Sequence, residues 1–307
     1  SYTDLQTAVD AAGAGDQLMV SGTFSSANVT TPDVTISGWK GVPGEIVGRM
    51  NIQAEGVTVE NLFLRQGDAA TTTVSLQSSG TTIRCNEMIY GEGNPGGGGH
   101  IINNTGTGLD SLLITNNEIH GHNQGIYFNS ADTPTAGVQI LENYIHDNGH
   151  SAVGADQTNR EWSVLMEGNV LEKNGMNADP NSANPWNGGI ELFDKAGTGD
   201  GTSFTANGNN FLNAALAPNI KWDVWAGNEN YGPVDDNDDF TGNWWGSVPP
   251  TDNPSIENLN NNAGTVDIVN DGNPLAAPIA MPVTGPTYGI LPGDADVNGT
   301  VGFSDFT

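Results

Sequence analysis

An asparagine recurs along this chain with an apolar residue two places after it, and that column restricts the fold more than any other feature. The asparagines are Asn61, Asn86, Asn117, Asn143, Asn169, Asn210 and Asn243. The apolar followers are Phe63, Met88, Ile119, Ile145, Leu171, Leu212 and Trp245. The interval is roughly 25 residues, stretched where extra residues intervene. A second short apolar run belongs to each unit, as in Met50–Ile52, Val74–Leu76, Gly125–Phe128 and Gly189–Phe193. Short alternating runs bounded by Gly, Asn and Asp are strand signals. The period is too short for paired-helix repeats and too irregular for propeller blades. A parallel β-solenoid answers it, with coils stacked about 4.8 Å apart. Equivalent residues then form ladders, and stacked Asn amides satisfy one another and the turn backbone. The Asn column is therefore expected to be structural.

The N-terminus fits the same plan. Leu5, Ala8, Val9 and Ala12 share one face of a helix that would cover the open end of the solenoid, and a turn leads into a strand near Val20. This entry resembles that of the pectin-lyase-like right-handed β-helix superfamily. Gly242-Asn243-Trp244-Trp245-Gly246-Ser247, followed by Val266-Asp267-Ile268-Val269, resembles the exit from such helices. The resemblance covers roughly residues 1–275 and implies an all-β fold, a right-handed parallel β-helix of about ten coils. It is weak on activity, because the superfamily hosts lyases, hydrolases, epimerases, adhesins and phage spikes. The expected organisation is a β-helix over 1–272, a Pro-rich linker over 273–290 whose apolar residues pack on the solenoid flank, and a terminal segment over 291–307.

Charge excludes some partners. Eight Lys and Arg stand against 36 Asp and Glu, for a formal charge of −28. Phosphate contacts need cationic side chains, so nucleic acid is not an expected partner, nor is an anionic membrane surface. No apolar run reaches the roughly 18 residues of a membrane span. The charge favours attraction of divalent cations. The single cysteine, Cys85, permits no internal disulfide and reads as a small turn filler.

The terminal segment contains Asp294-x-Asp296-x-Asn298-Gly299-Thr300, closed by Asp305. Oxygen donors at loop positions one, three, five, seven and twelve, with Gly at six, suit Ca²⁺. With Leu291-Pro292-Gly293 before it and Phe306 after, the stretch resembles the first half of a type I dockerin repeat. The resemblance implies an extracellular, calcium-rich setting, and a protein partner or self-assembly through the tail.

Two groups of residues could carry chemistry. The first lies in consecutive units: His120, His146 and Glu172 stand three residues after their Asn, and Glu118 and Tyr144 two residues earlier on the same face. Such a stripe can serve general acid–base catalysis or bind a transition metal, and Glu118 and Tyr144 would contact substrate. The second is Glu191, Asp194 and Lys195 beside Trp186, whose flat ring is a plausible sugar platform. This group weakly resembles the calcium-dependent chondroitinase B and alginate lyase family, which implies a metal-ligand role for Glu191 and the base role for Lys195. The Arg that this family carries on a following coil has no counterpart, since no Arg follows Arg160. The Gly-His-Gly pattern of polygalacturonases, the paired Arg of pectate lyases and the Tyr-Gly-x-Asp-Pro-His pattern of alginate epimerases are also missing. The sequence points to a secreted or cell-surface protein that binds or degrades polysaccharide, as a lyase or glycosidase. The alternative is a non-catalytic structural or adhesive protein assembled through the β-helix and its calcium-binding tail.

Overall fold

A computed structural model of the chain describes residues 2–39, 44–66, 72–90, 99–103, 109–129, 135–157, 162–175, 188–194, 203–212, 222–228, 236–246, 256–259, 266–269 and 274–286. All the strand pairing in it is parallel and joins one coil to the next, which makes a β-helix with three faces. Among the described residues the first face has ten strands, from Gln17–Val20 to Val266–Val269. The second includes Leu62–Gln66, Glu87–Tyr90, Glu118–His120, Tyr144–His146, Val170–Glu172 and Asn210–Phe211. The third includes Val74–Leu76, Gly99–Asn103, Gln124–Asn129, Val153–Gln157, Gly188–Asp194 and Trp222–Asn228. Gly44–Ile52 is long enough to join both, pairing through Gly44–Val47 with the second face and through Met50–Ile52 with the third.

A single left-handed residue turns the chain from the first face to the second. Cys85, Asn116 and Glu142 have φ of 55°, 56° and 53°, and Gly168, Gly208 and Gly242 continue the column. Left-handed backbone costs a non-Gly residue about 1–2 kcal/mol, and the ladder that begins at the next residue offsets it. Asn86, Asn117, Asn143, Asn169, Asn209 and Asn243 are fully buried. The backbone N–H and the Nδ2 of Asn117 both donate to Asn143 Oδ1 at 3.0 Å, and Nδ2 also donates to the Ile83 and Thr115 carbonyls. The same pattern runs from Asn86 to Asn243.

The sequence alignment slips by one residue at two places. Asn61 is itself the left-handed residue (φ 54°), and Leu62 takes the ladder position, its N–H donating to Asn86 Oδ1. Farther on, Asn209 occupies the ladder, not Asn210. The inward apolar column is therefore Leu64, Met88, Ile119, Ile145, Leu171, Phe211 and Trp245, all buried, while Phe63 and Leu212 are only partly so. One residue of slip moves a side chain to the opposite face of a strand, so burial settles the register.

The helix Leu5–Ala11 is capped by Asp4, whose carboxylate accepts from Thr7 N at 2.8 Å and Thr7 Oγ1 at 2.7 Å. Leu5, Ala8 and Val9 are buried against the first coils, and Ala12 packs beside them. Gln6 bonds both backbone groups of Asn28, which pairs polar groups at the edge of the stack. Among the described residues no helix is long and apolar enough to cross a membrane.

Residues 274–286 form a strap. Leu275 N donates to the Asn243 carbonyl, Ile279 exchanges two hydrogen bonds with the Asn210 amide, and Gly285 N donates to the Asn116 carbonyl. The strap thus runs back along the first-to-second turn across several coils. Between it and the turn lies a groove of about 780 Å³ lined by Leu141, Glu142, Glu167, Met281 and Val283 among others. Asn210 leaves the ladder and holds the strap.

Candidate functional site

In the second-face strands Glu118–His120 and Tyr144–His146, each entered through a left-handed residue and a buried Asn, the middle residue points inward and the two end residues are only partly buried. Ile119, Ile145 and Leu171 enter the core. Glu118 pairs in register with Tyr144, and His120 with His146 and then Glu172. The register thus sets Glu118 and Tyr144 in one column and His120, His146 and Glu172 in another on this face. Coil stacking brings the His120 and His146 rings to a 4.7 Å centroid separation, 8° from parallel. The Tyr144 ring stacks on His146 at 4.0 Å.

Hydrogen bonds tie the stripe together. His146 Nε2 lies 3.3 Å from Glu118 Oε1, and its Nδ1 lies 2.8 Å from Asp147 Oδ2. Tyr144 OH donates to Glu172 Oε2 at 3.0 Å, and Lys173 Nζ meets Glu172 Oε1 at 3.0 Å. His120 Nε2 faces Glu87 Oε1 at 3.5 Å. Burial works to neutralise His146, but its hydrogen bonds to Glu118 and Asp147, with their charges, raise its pKa above the ordinary value. The hydrogen bond from His146 lowers that of Glu118 against the opposing effect of burial, with the His120 and His146 charges adding to it. Burial, the bond to Glu172 and the surrounding carboxylates push the Tyr144 phenol upward, so it stays protonated. One ligand atom each from Glu118, His120 and His146 come within 4.8 Å of one another.

The turn from the second face to the third is built from a second, shorter ladder that sequence reading missed. His122 N donates to Asn148 Oδ1, and Asn148 Nδ2 donates to Asn174 Oδ1. His100 is buried under it. Its Nε2 donates to the His120 carbonyl at 2.8 Å, and its Nδ1 lies 3.1 Å from Thr73 Oγ1. Burial, with His122 adjacent, holds His100 well below the usual imidazole range, and the bonding fits a neutral ring protonated on Nε2. All five histidines of the chain fall between His100 and His150, and that clustering was the signal available in the sequence.

The second predicted group lies on a different face. Glu191 pairs with Gly154 and Trp225 in the third-face register and is 1% exposed. Burial pushes its carboxyl well above the carboxylate range. Ser151 opposes the shift, yet neither its Oγ nor either Glu191 oxygen completes a hydrogen bond among the described residues. The two are neighbours without a formed bond. A Cβ at Gly154 would sit 2.9 Å from the Tyr127 ring, 3.1 Å from Ser151 Oγ and 3.2 Å from Gln124 Nε2. Only glycine leaves room for that convergence. Among the described residues one carboxyl and one hydroxyl stand here, short of the roughly six to eight oxygens calcium takes. Asp194 ends its strand opposite Gln157 and Asn228. Trp186 and Lys195 lie outside the described residues, as do Asp294, Asp296, Asn298, Thr300 and Asp305 of the terminal loop.

A family model described as a right handed beta helix region matches residues 23–223, well over half of the chain. The chain belongs to the right-handed β-helix family. A search of curated proteins gives no matching relative. The family is common among polysaccharide-active enzymes and also occurs in other proteins.

Proposed function

We propose that this protein acts on an extracellular polysaccharide, as a lyase or glycosidase, with the sugar chain lying along the outer surface of the second face. The observation that carries the reading is the in-register stripe of a phenol, two imidazoles and two carboxylates. These groups converge on an outward surface instead of dispersing into solvent. In this reading Tyr144 and Glu172 form the proton-handling end, with Lys173 holding the Glu172 carboxylate. Glu118, His120 and His146 form the end that meets the charge of the substrate. The Asp294–Asp305 loop binds Ca²⁺ and attaches the protein to a partner or to further copies.

The test is a panel of plant and marine polymers incubated with the full chain, read by ultraviolet absorbance of new unsaturated ends and by reducing sugars. Product should form on at least one polymer and fall by at least about tenfold in Tyr144→Phe and Glu172→Ala, each checked for native circular dichroism. No product on any polymer from folded wild-type protein, together with calcium-dependent filaments, would sink this reading in favour of a structural protein.

A further inference from the structure

We propose that Glu118, His120 and His146 form a site for a divalent first-row transition metal, with zinc as the representative ion. The inference deepens the reading of the second face given above. The three residues come from two adjacent strands whose middle residues, Ile119 and Ile145, are buried, so the backbone that carries the donors is fixed. Two ligands each about 2.0–2.1 Å from a tetrahedral ion stand about 3.3 Å apart. Glu118 Oε1 and His146 Nε2 are 3.3 Å apart.

The ring nitrogens of both imidazoles support the assignment. His146 Nδ1 is engaged by Asp147 Oδ2 at 2.8 Å, the carboxylate–imidazole pairing that orients a metal-binding histidine and leaves its Nε2 to the ion. His120 Nε2 is buried and completes no hydrogen bond among the described residues, with Glu87 Oε1 standing 3.5 Å away. An unsatisfied buried ring nitrogen is costly unless something occupies it. The backbone beneath His120 is held from inside by His100, which donates to the His120 carbonyl.

The donor chemistry selects the ion. Two imidazole nitrogens and one carboxylate suit zinc, cobalt or nickel, whereas calcium prefers an all-oxygen shell. Three protein ligands leave a fourth position for water, for substrate oxygen or for Glu87. An ion there would supply a Lewis acid to a uronate carboxylate or sulfate. A chain with only eight basic residues otherwise has few groups to neutralise one.

The experiment uses tag-free full-length protein, stripped with chelator and then titrated with Co²⁺ in the presence of excess Ca²⁺, which occupies oxygen-only sites. One equivalent of Co²⁺ should bind with the visible absorption of an imidazole-ligated ion and be displaced by Zn²⁺. Affinity should fall at least about 100-fold in His120→Ala and His146→Ala, and about 10–100-fold in Asp147→Asn, which keeps the shape of the side chain. His150→Ala should bind as wild type does. An absorption spectrum no different from free Co²⁺ overturns the proposal whether or not the variants fold, as does binding that survives both histidine substitutions. Polymer cleavage by chelated wild-type protein that does not respond to added metal would also overturn it while leaving the polysaccharide reading intact. Tight Co²⁺ binding at these residues with no cleavage of any polymer would do the reverse.

Discussion

Replacing Asn169 by alanine removes the side chain from the middle of the buried ladder. Its Nδ2 donates to the Ile140 and Glu167 carbonyls and to Asn209 Oδ1, at 2.7, 3.2 and 2.9 Å. Its Oδ1 accepts from the backbone N–H and the Nδ2 of Asn143, at 2.9 and 3.0 Å. Five hydrogen bonds are lost. At about 1 kcal/mol net each this comes to about 5 kcal/mol, and the Asn143 N–H is left buried without its acceptor. Water entering the vacated space recovers part, so the expected loss is about 3–5 kcal/mol. Urea unfolding followed by tryptophan fluorescence and by far-ultraviolet circular dichroism measures it. Coincidence of the two probes matters, because stacked coils couple mainly to their neighbours and can unfold in parts. Asn169→Asp keeps the two acceptor contacts but buries a charge and should be no more stable than the alanine variant. A loss below about 1 kcal/mol with an unchanged m-value would refute the view that the ladder is a principal source of stability.

Adjacent asparagines should behave differently. Asn209→Ala should cost about as much as Asn169→Ala. Asn210→Ala should change the unfolding midpoint little but expose the strap near Ala276–Met281 to limited proteolysis, since among the described residues only its bonds to Ile279 are lost. Because burial raises the Glu191 carboxyl, the folded state holds a proton that the unfolded state releases above about pH 4.3. Wild-type stability should therefore fall as pH rises from there toward the folded value, at up to about 1.4 kcal/mol per unit, and Glu191→Gln should abolish that slope. Parallel stability–pH curves for the two proteins would contradict this. Cys85→Gly should be tolerated to within about 1 kcal/mol, because later coils place Gly in the same left-handed column, whereas the β-branched Cys85→Val should cost more. Urea midpoints of the pair decide it.

The period and the apolar followers made the solenoid legible, and the equivalence of His120, His146 and Glu172 followed once the units were aligned. The two slips have a common origin. At Asn209-Asn210 the sequence offers two identical residues, and at Asn61-Leu62 it offers an Asn one place too early. The deciding criterion is the residue that turns left-handed just before the ladder, and Cys85 and Glu142 do not advertise that conformation. The isolation of Glu191 was hidden for another reason. Period two places it outward, and outward normally means wet, yet here the outer surface is buried. Neither His100 under His120 nor the strap beside Asn116 left a local trace, because both contacts join segments far apart in the chain.

The strap also decides how the molecule carries load. A chain leaving from the last coil would peel that coil away one hydrogen-bonded rung at a time. Here, among the described residues, tension arriving from beyond residue 286 meets Gly285 first, beside Asn116 and within reach of Glu118, well inside the stack. The anchors at Asn116, Asn210 and Asn243 must part in that order before tension reaches the terminal coil. The segment works as a strain relief, like the clamp where a cable enters its housing. A tug on the tail would be felt at the candidate site before it could unwind the end of the solenoid.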